Sequence, residues 1–151
     1  MSEFETQRNA VDKLPKLEWT EALSTGDPSM DVQHRYLISV INSLGDALEA
    51  GKAKTKIKTI IHLLLNYAGW HFEREEECMD RAKCPAATAN KEAHAAFRIA
   101  FKKFSDEFET GGGSEEIALR IHKELTGWLV NHIQKIDAQL GRCAKNGSAR
   151  K

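Results

Sequence analysis

Apolar residues recur at spacings of three and four over four long stretches of the chain, and proline and glycine fall almost entirely at the edges of those stretches. That period marks helices that each bury one stripe. The first stripe reads His34, Leu37, Ile41, Leu44, Leu48, and the second Ile57, Ile61, Leu64, Ala68, His71, Glu75, Cys78. The third reads Asn90, His94, Phe97, Phe101, Phe104, Phe108, and the fourth Ile121, Leu125, Trp128, His132. Breakers set the bounds. An N-terminal arm over 1–28 carries Pro15, Trp19, Gly26 and Pro28, and helix one over about 29–50 stops at Gly51. Helix two covers about 53–83, and Pro85 opens helix three in its first turn. Gly111, Gly112 and Gly113 end helix three near Glu109, and Ser114 caps a fourth helix that reaches about Gly141 with Glu115 and Glu116 in its first turn. Residues 142–151 read as a polar tail or the start of a linker. Little reads as strand. Short connections force successive helices to alternate in direction, so the expectation is all-α: an up-down-up-down antiparallel four-helix bundle over 29–141 behind the arm.

Composition narrows the classes without naming one. The 151 residues are enough for one sizeable core, and 22 basic against 22 acidic side chains leave no basic stripe of the kind that binds nucleic acid. No run approaches the length of a membrane span, and the opening residues lack a secretory pattern, so a cytoplasmic protein with no membrane partner is expected. Cys78, Cys84 and Cys143 are odd in number and lack C-x-x-C spacing, which reads as three reduced thiols.

Six polar residues interrupt the stripes: His34, His71, Glu75, Asn90, His94 and His132. Charged groups survive in a core only when paired or bound to metal. His71 with Glu75, and Asn90 with His94, are four apart and share a helix face. In an alternating bundle, His34 early in helix one, His71 late in helix two, Asn90 and His94 early in helix three, and His132 late in helix four meet at one end. Mixed imidazole and carboxylate donors suit iron, manganese or zinc, and carboxylates can bridge two metals, so the spacing points to a metal site of dinuclear type. Asp137 is not selected this way. It lies about 140° round an ideal wheel from His132, and the stripe alone points to Ile136.

Three segments, in order, resemble the hemerythrin family in its bacterial branch. They are the arm W-T-E-A-L-S-T-G-D-P-S-M-D-V-Q-H from Trp19 to His34, Y-A-G-W-H-F-E-R-E-E-E-C-M from Tyr67 to Met79, and W-L-V-N-H-I-Q-K-I-D from Trp128 to Asp137. The resemblance covers roughly Leu17 to Leu140. It implies two iron ions, oxo- or hydroxo-bridged, without haem. His34 and His71 would bind the iron that opens to dioxygen, His94 and His132 the other, and Glu75 and Asp137 would bridge. Trp128 and Leu129 would stand at the small-ligand pocket, although ordinary core packing accounts for Leu129 equally well.

The chain departs from the pattern at C-P-A-A-T-A-N-K-E-A-H-A-A-F, Cys84 to Phe97, where the family has an aromatic before the proline and a histidine five residues after it. Here Cys84 and Asn90 stand at those places. His62 and His122 lie off the ligand stripe and read as surface or rim residues, and Glu76 and Glu77 as a solvated face. Asn90 offers a weak amide-oxygen ligand or leaves the position to water, so the second iron is expected to be more open and easier to oxidise. That ranks redox or oxygen sensing ahead of carriage or storage of oxygen. The ligand would be dioxygen or another small diatomic or peroxide, and an output domain in cis, such as a diguanylate cyclase, would read the state. A diiron peroxidase or nitric oxide reductase is a further alternative, weakened because no acid–base pair stands out beyond the ligands.

Overall fold

The computed structural model describes residues 14–52, 54–139 and 143. Four helices dominate: α1 Pro28–Glu49, α2 Lys54–Arg81, α3 Ala87–Thr110 and α4 Glu115–His132, the last running directly into a π-helical turn, Ile133–Asp137. α1 packs on α2 and α4, α2 on α3, and α3 on α4, which closes the up-down-up-down ring. No strand occurs among the described residues.

The helix ends follow local chemistry. Asp27 caps α1 by accepting a hydrogen bond from the Met30 amide at 3.1 Å, and Pro28 takes the first helical position, so the helix begins inside the stretch assigned to the arm. At the other end Gly51, at φ 61°, allows the Lys52 amide to reach the Ala47 carbonyl and its own amide the Leu48 carbonyl. α2 ends in the same motif without a glycine. Lys83 adopts φ 50°, while its amide and that of Cys84 bond the Asp80 and Met79 carbonyls. Pro85 sits in the following turn rather than in α3, which starts two residues later. Ser114 holds the cap position of α4, but its hydroxyl makes no capping bond.

The described arm lies along α1. Asn42 bonds both backbone groups of Leu17, Asp31 accepts from Ser24 and Thr25, and Arg35 stacks over Trp19 at 4.0 Å. A small 3₁₀ turn, Glu21–Leu23, drives Leu23 into the core.

Two apolar clusters result. The larger fills most of the bundle. The smaller, Met30, Met79, Cys84 and Ala86 with Ile136 packed against it, closes one end. Met30 precedes His34 by four residues, Met79 follows Glu75 by four, Ala86 precedes Asn90 by four and Ile136 follows His132 by four. Each polar seam member thus has an apolar lid residue four positions outward, in the helix itself for Met30 and Met79, at the cap of α3 for Ala86 and in the π turn for Ile136.

Cys84 and Cys143 form a disulfide with Cα atoms 5.4 Å apart, which corrects the expectation of three free thiols; Cys78 alone is free. Spacing could not show it, because the partners lie 59 residues apart and meet only through the fold. A cross-link over such a loop stabilises by about 4 kcal/mol in the chain-entropy account. Apart from Cys143, the tail over 142–151 lies outside the described residues.

The left-handed conformation at exposed Lys83 costs a side chain about 1 kcal/mol that glycine avoids. Lys83→Gly should therefore raise stability by about that amount, read as a higher urea midpoint at unchanged slope.

Candidate metal centre

Every polar residue of the seams is buried at one end of the bundle. His34, Glu75, Asn90 and His94 have no exposed surface, His71 and Asp137 1% each, and His132 4%. Asp137 joins them because the last turn of the fourth helix is π-helical: the Ala138 amide bonds the Ile133 carbonyl, five residues back. The wider turn rotates Asp137 onto the face of His132, where an α-helix would have turned it away, and Ile136 moves to the lid.

The two carboxylates divide their oxygens between two sets of imidazoles. Glu75 Oε2 lies 3.4 Å from His34 Nε2 and 3.2 Å from His71 Nε2, while Glu75 Oε1 lies 3.1 Å from His94 Nε2 and 3.8 Å from His132 Nε2. Asp137 Oδ2 stands 3.1 Å from His34 Nε2 and Oδ1 3.1 Å from His132 Nε2. Two overlapping donor sets follow, His34, His71, Glu75, Asp137 and Glu75, His94, His132, Asp137, each with ligand atoms within 4.8 Å of one another. Asn90 Oδ1 is 3.0 Å from His132 Nε2.

These donors fit cations better than they fit each other. Among the described residues, eight buried side-chain atoms lack a hydrogen-bond partner, and seven are here: both nitrogens of His34, both oxygens of Glu75 and of Asp137, and Asn90 Nδ2. Close approach without hydrogen-bond alignment is the arrangement of groups that share a cation. The set of imidazole nitrogens and carboxylate oxygens suits iron, manganese or zinc.

Two side chains behind the imidazoles escaped the sequence reading. Gln33 Oε1 accepts from His71 Nδ1 at 2.6 Å, which leaves His71 Nε2 free to face the centre. Glu76 Oε2 lies 3.4 Å from His94 Nδ1 with its side chain 20% exposed, so Glu76 is not part of a solvated face. Glu77 is, beside Arg74 and Arg81. A signal existed for Gln33, which immediately precedes His34. None existed for Glu76, hidden in a run of three glutamates.

Trp128 stacks on His132 at 4.5 Å and Phe72 on His94 at 3.8 Å. One turn inward lies a small apolar cavity of about 10 Å³, room for one water-sized molecule, with Leu37, Ala68, Phe72, Phe97, Trp128 and Leu129 among its walls. His62 is exposed and bonds Glu109 at 2.9 Å. His122 is a correction: it is buried, 3% exposed, facing α1 where Gly45 leaves room for its ring. A Cβ at Gly45 would stand 2.9 Å from His122 Nε2, a fit between helices that no single-helix pattern reveals.

Comparison with known proteins finds similar sequences and similar folds. The model of the hemerythrin HHE cation binding domain matches residues 25–144. Bacteriohemerythrin of Pseudomonas aeruginosa is 33% identical over 125 residues, covering 83% of this chain and 79% of its own. That of Methylococcus capsulatus is 27% identical over 128 residues, covering 84% and 95%. A crystal structure of wild-type hemerythrin superposes with a TM-score of 0.74 at 26% identity, over 84% of this chain and 96% of that one.

Burial opposes the charged form of His34 and His132, but the Asp137 and Glu75 carboxylates outweigh it and lift both from 6.5 to about 9. Burial likewise works against ionised Glu75, and the imidazoles of His132, His34, His71 and His94 hold it well below the usual range. Burial lowers His71. At pH 7 the metal-free centre therefore keeps protons on His34 and His132 that a cation must displace. Loading two divalent cations should release about two protons at pH 7 and progressively fewer above pH 9, with apparent affinity rising as pH rises toward 9. Calorimetry in buffers of different ionisation enthalpy measures this; loading without proton release would contradict it.

Proposed function

The chain belongs to the hemerythrin family, a non-haem iron and oxygen-binding family, and on that footing we propose that its bundle holds two iron ions and binds dioxygen or a related small oxidant as a redox or oxygen sensor. His34 and His71 would hold one iron, His94 and His132 the other, and Glu75 and Asp137 would offer an oxygen to each. The observation that carries this reading is the division of each carboxylate, one oxygen toward each imidazole pair.

When bound, the iron pair supplies a redox-active centre with an open position for a small oxidant. The protein does the rest. Gln33 fixes the His71 ring by accepting its Nδ1 proton. Met30 and Met79, with 2% and no exposure, keep bulk water from the outer end. The apolar cavity beside Leu129 and Trp128 admits a neutral molecule of water size in preference to an ion, because nothing in its walls repays the desolvation of charge.

Sensing is favoured over carriage by the second half-site. It has two imidazoles, with Asn90 where the family pattern has a third, and fewer imidazoles bind the cation less firmly. A sensor needs only two states of the centre that bias the helices holding it. The π turn would couple them: Asp137, which would contact both irons, stands in a turn only six residues before Cys143, itself tied to the α2–α3 connection.

Anaerobic iron-loaded protein exposed to air, then returned to anaerobic conditions, separates the two readings by absorption spectroscopy. Sensing predicts oxidation that persists when oxygen is removed and reverses only on adding a reductant. Full recovery of the ferrous spectrum by deoxygenation alone, over repeated cycles, would favour carriage.

A further inference from the structure

Asn90 sits in the first turn of α3, wholly buried, with Oδ1 3.0 Å from His132 Nε2 and Nδ2 without a partner. Its contact with His132 cannot survive metal loading unchanged. An imidazole nitrogen that gives its lone pair to a cation carries no proton to donate, so the Asn90 oxygen would lose its hydrogen bond and stand buried against the cation's own ligand.

The spacings say what replaces that bond. Within the second half-site, His94 and His132 Nε2 are 3.1 Å apart, His132 Nε2 and Asp137 Oδ1 3.1 Å, and His94 Nε2 and Glu75 Oε1 3.1 Å. Ligands at right angles about a cation with bonds of roughly 2.1 Å stand roughly 3.0 Å apart. The Asn90 oxygen keeps that same interval from His132. A side chain present only for packing would not leave its own amide unsatisfied in a buried layer, since that costs stability without return.

We propose that Asn90 Oδ1 is a direct ligand of the second cation, so that two imidazoles and three oxygens bind there against two imidazoles and two oxygens at the first. The inference rests on the two-cation reading above. A neutral amide oxygen is a harder and weaker donor than imidazole. The second half-site therefore discriminates less in favour of zinc over manganese and ferrous iron, and exchanges its cation faster, than one with a third histidine.

Anaerobic cobalt(II) titration of the whole chain, followed by visible absorption and equilibrium dialysis, tests this. The unmutated protein should take two cobalt ions, with distinct bands for the two half-sites. Asn90→Leu, with the same branched outline but without a donor, should keep the first ion at unchanged affinity and bind the second about tenfold more weakly or worse, with altered bands for that ion alone. Asn90→Asp, which returns an oxygen to the same place, should hold both ions tightly, so that retention follows the oxygen donor and is lost in the branched but donor-free leucine. Should Asn90→Leu fail to fold, Asn90→Ala carries the same expectation. Two ions bound by Asn90→Leu or Asn90→Ala with the affinity and spectrum of the unmutated protein would overturn the assignment. Uptake of fewer than two ions by the unmutated protein would instead remove the two-cation reading on which it stands.

Discussion

The whole arrangement depends on one constraint: six ionisable side chains and an amide occupy a single layer of a dry helical bundle, with seven polar atoms unsatisfied by protein. Each such group costs free energy when buried, and leaving a charge unpaired costs several kcal/mol more. Without metal, protons on His34 and His132 offset part of that cost. Cations offset more of it, because one ion satisfies several converging lone pairs at once. The remaining features serve to hold this layer still and keep water from it.

Two apolar clusters confine the layer from both sides. Inward, Phe72 and Trp128 stack on His94 and His132 and fix their ring planes. Outward, Met30, Met79, Ala86 and Ile136 each stand one turn beyond a polar seam residue, so the helical repeat that builds the layer also builds its lid. The Cys84–Cys143 disulfide ties that lid to the chain beyond the fourth helix, and the loop it closes contains Asn90, His94, His132 and Asp137. The second half-site is thus cross-linked as a unit, apart from the Glu75 oxygen it borrows from α2.

Much of this was legible in the sequence because the fold repeats a local rule. Four amphipathic stripes and their breakers gave the first three helices and the start of the fourth to within a few residues, and His34, His71, Glu75, Asn90, His94 and His132 stood out as polar residues where the pattern demands apolar ones. What was not legible came from departures from the α-helical repeat or from contacts between distant residues. Asp137 reaches the layer through a π turn, so a wheel of fixed pitch points to its neighbour Ile136, and only the resemblance selected it. The partnership of Cys84 with Cys143 and the burial of His122 against Gly45 arise where segments distant in sequence meet. Lys83 closes α2 in a conformation normally left to glycine, so the composition of that turn did not advertise it.

With metal bound, Glu75 and Asp137 would each divide their two oxygens between two cations. Anomalous X-ray diffraction at the iron edge, on crystals of the iron-loaded protein, tests it most directly. Two iron peaks are expected, one beside His34 and His71 and one beside His94 and His132, each in contact with one oxygen of Glu75 and one of Asp137. A single peak, or two peaks with Asp137 turned away from either, would contradict it.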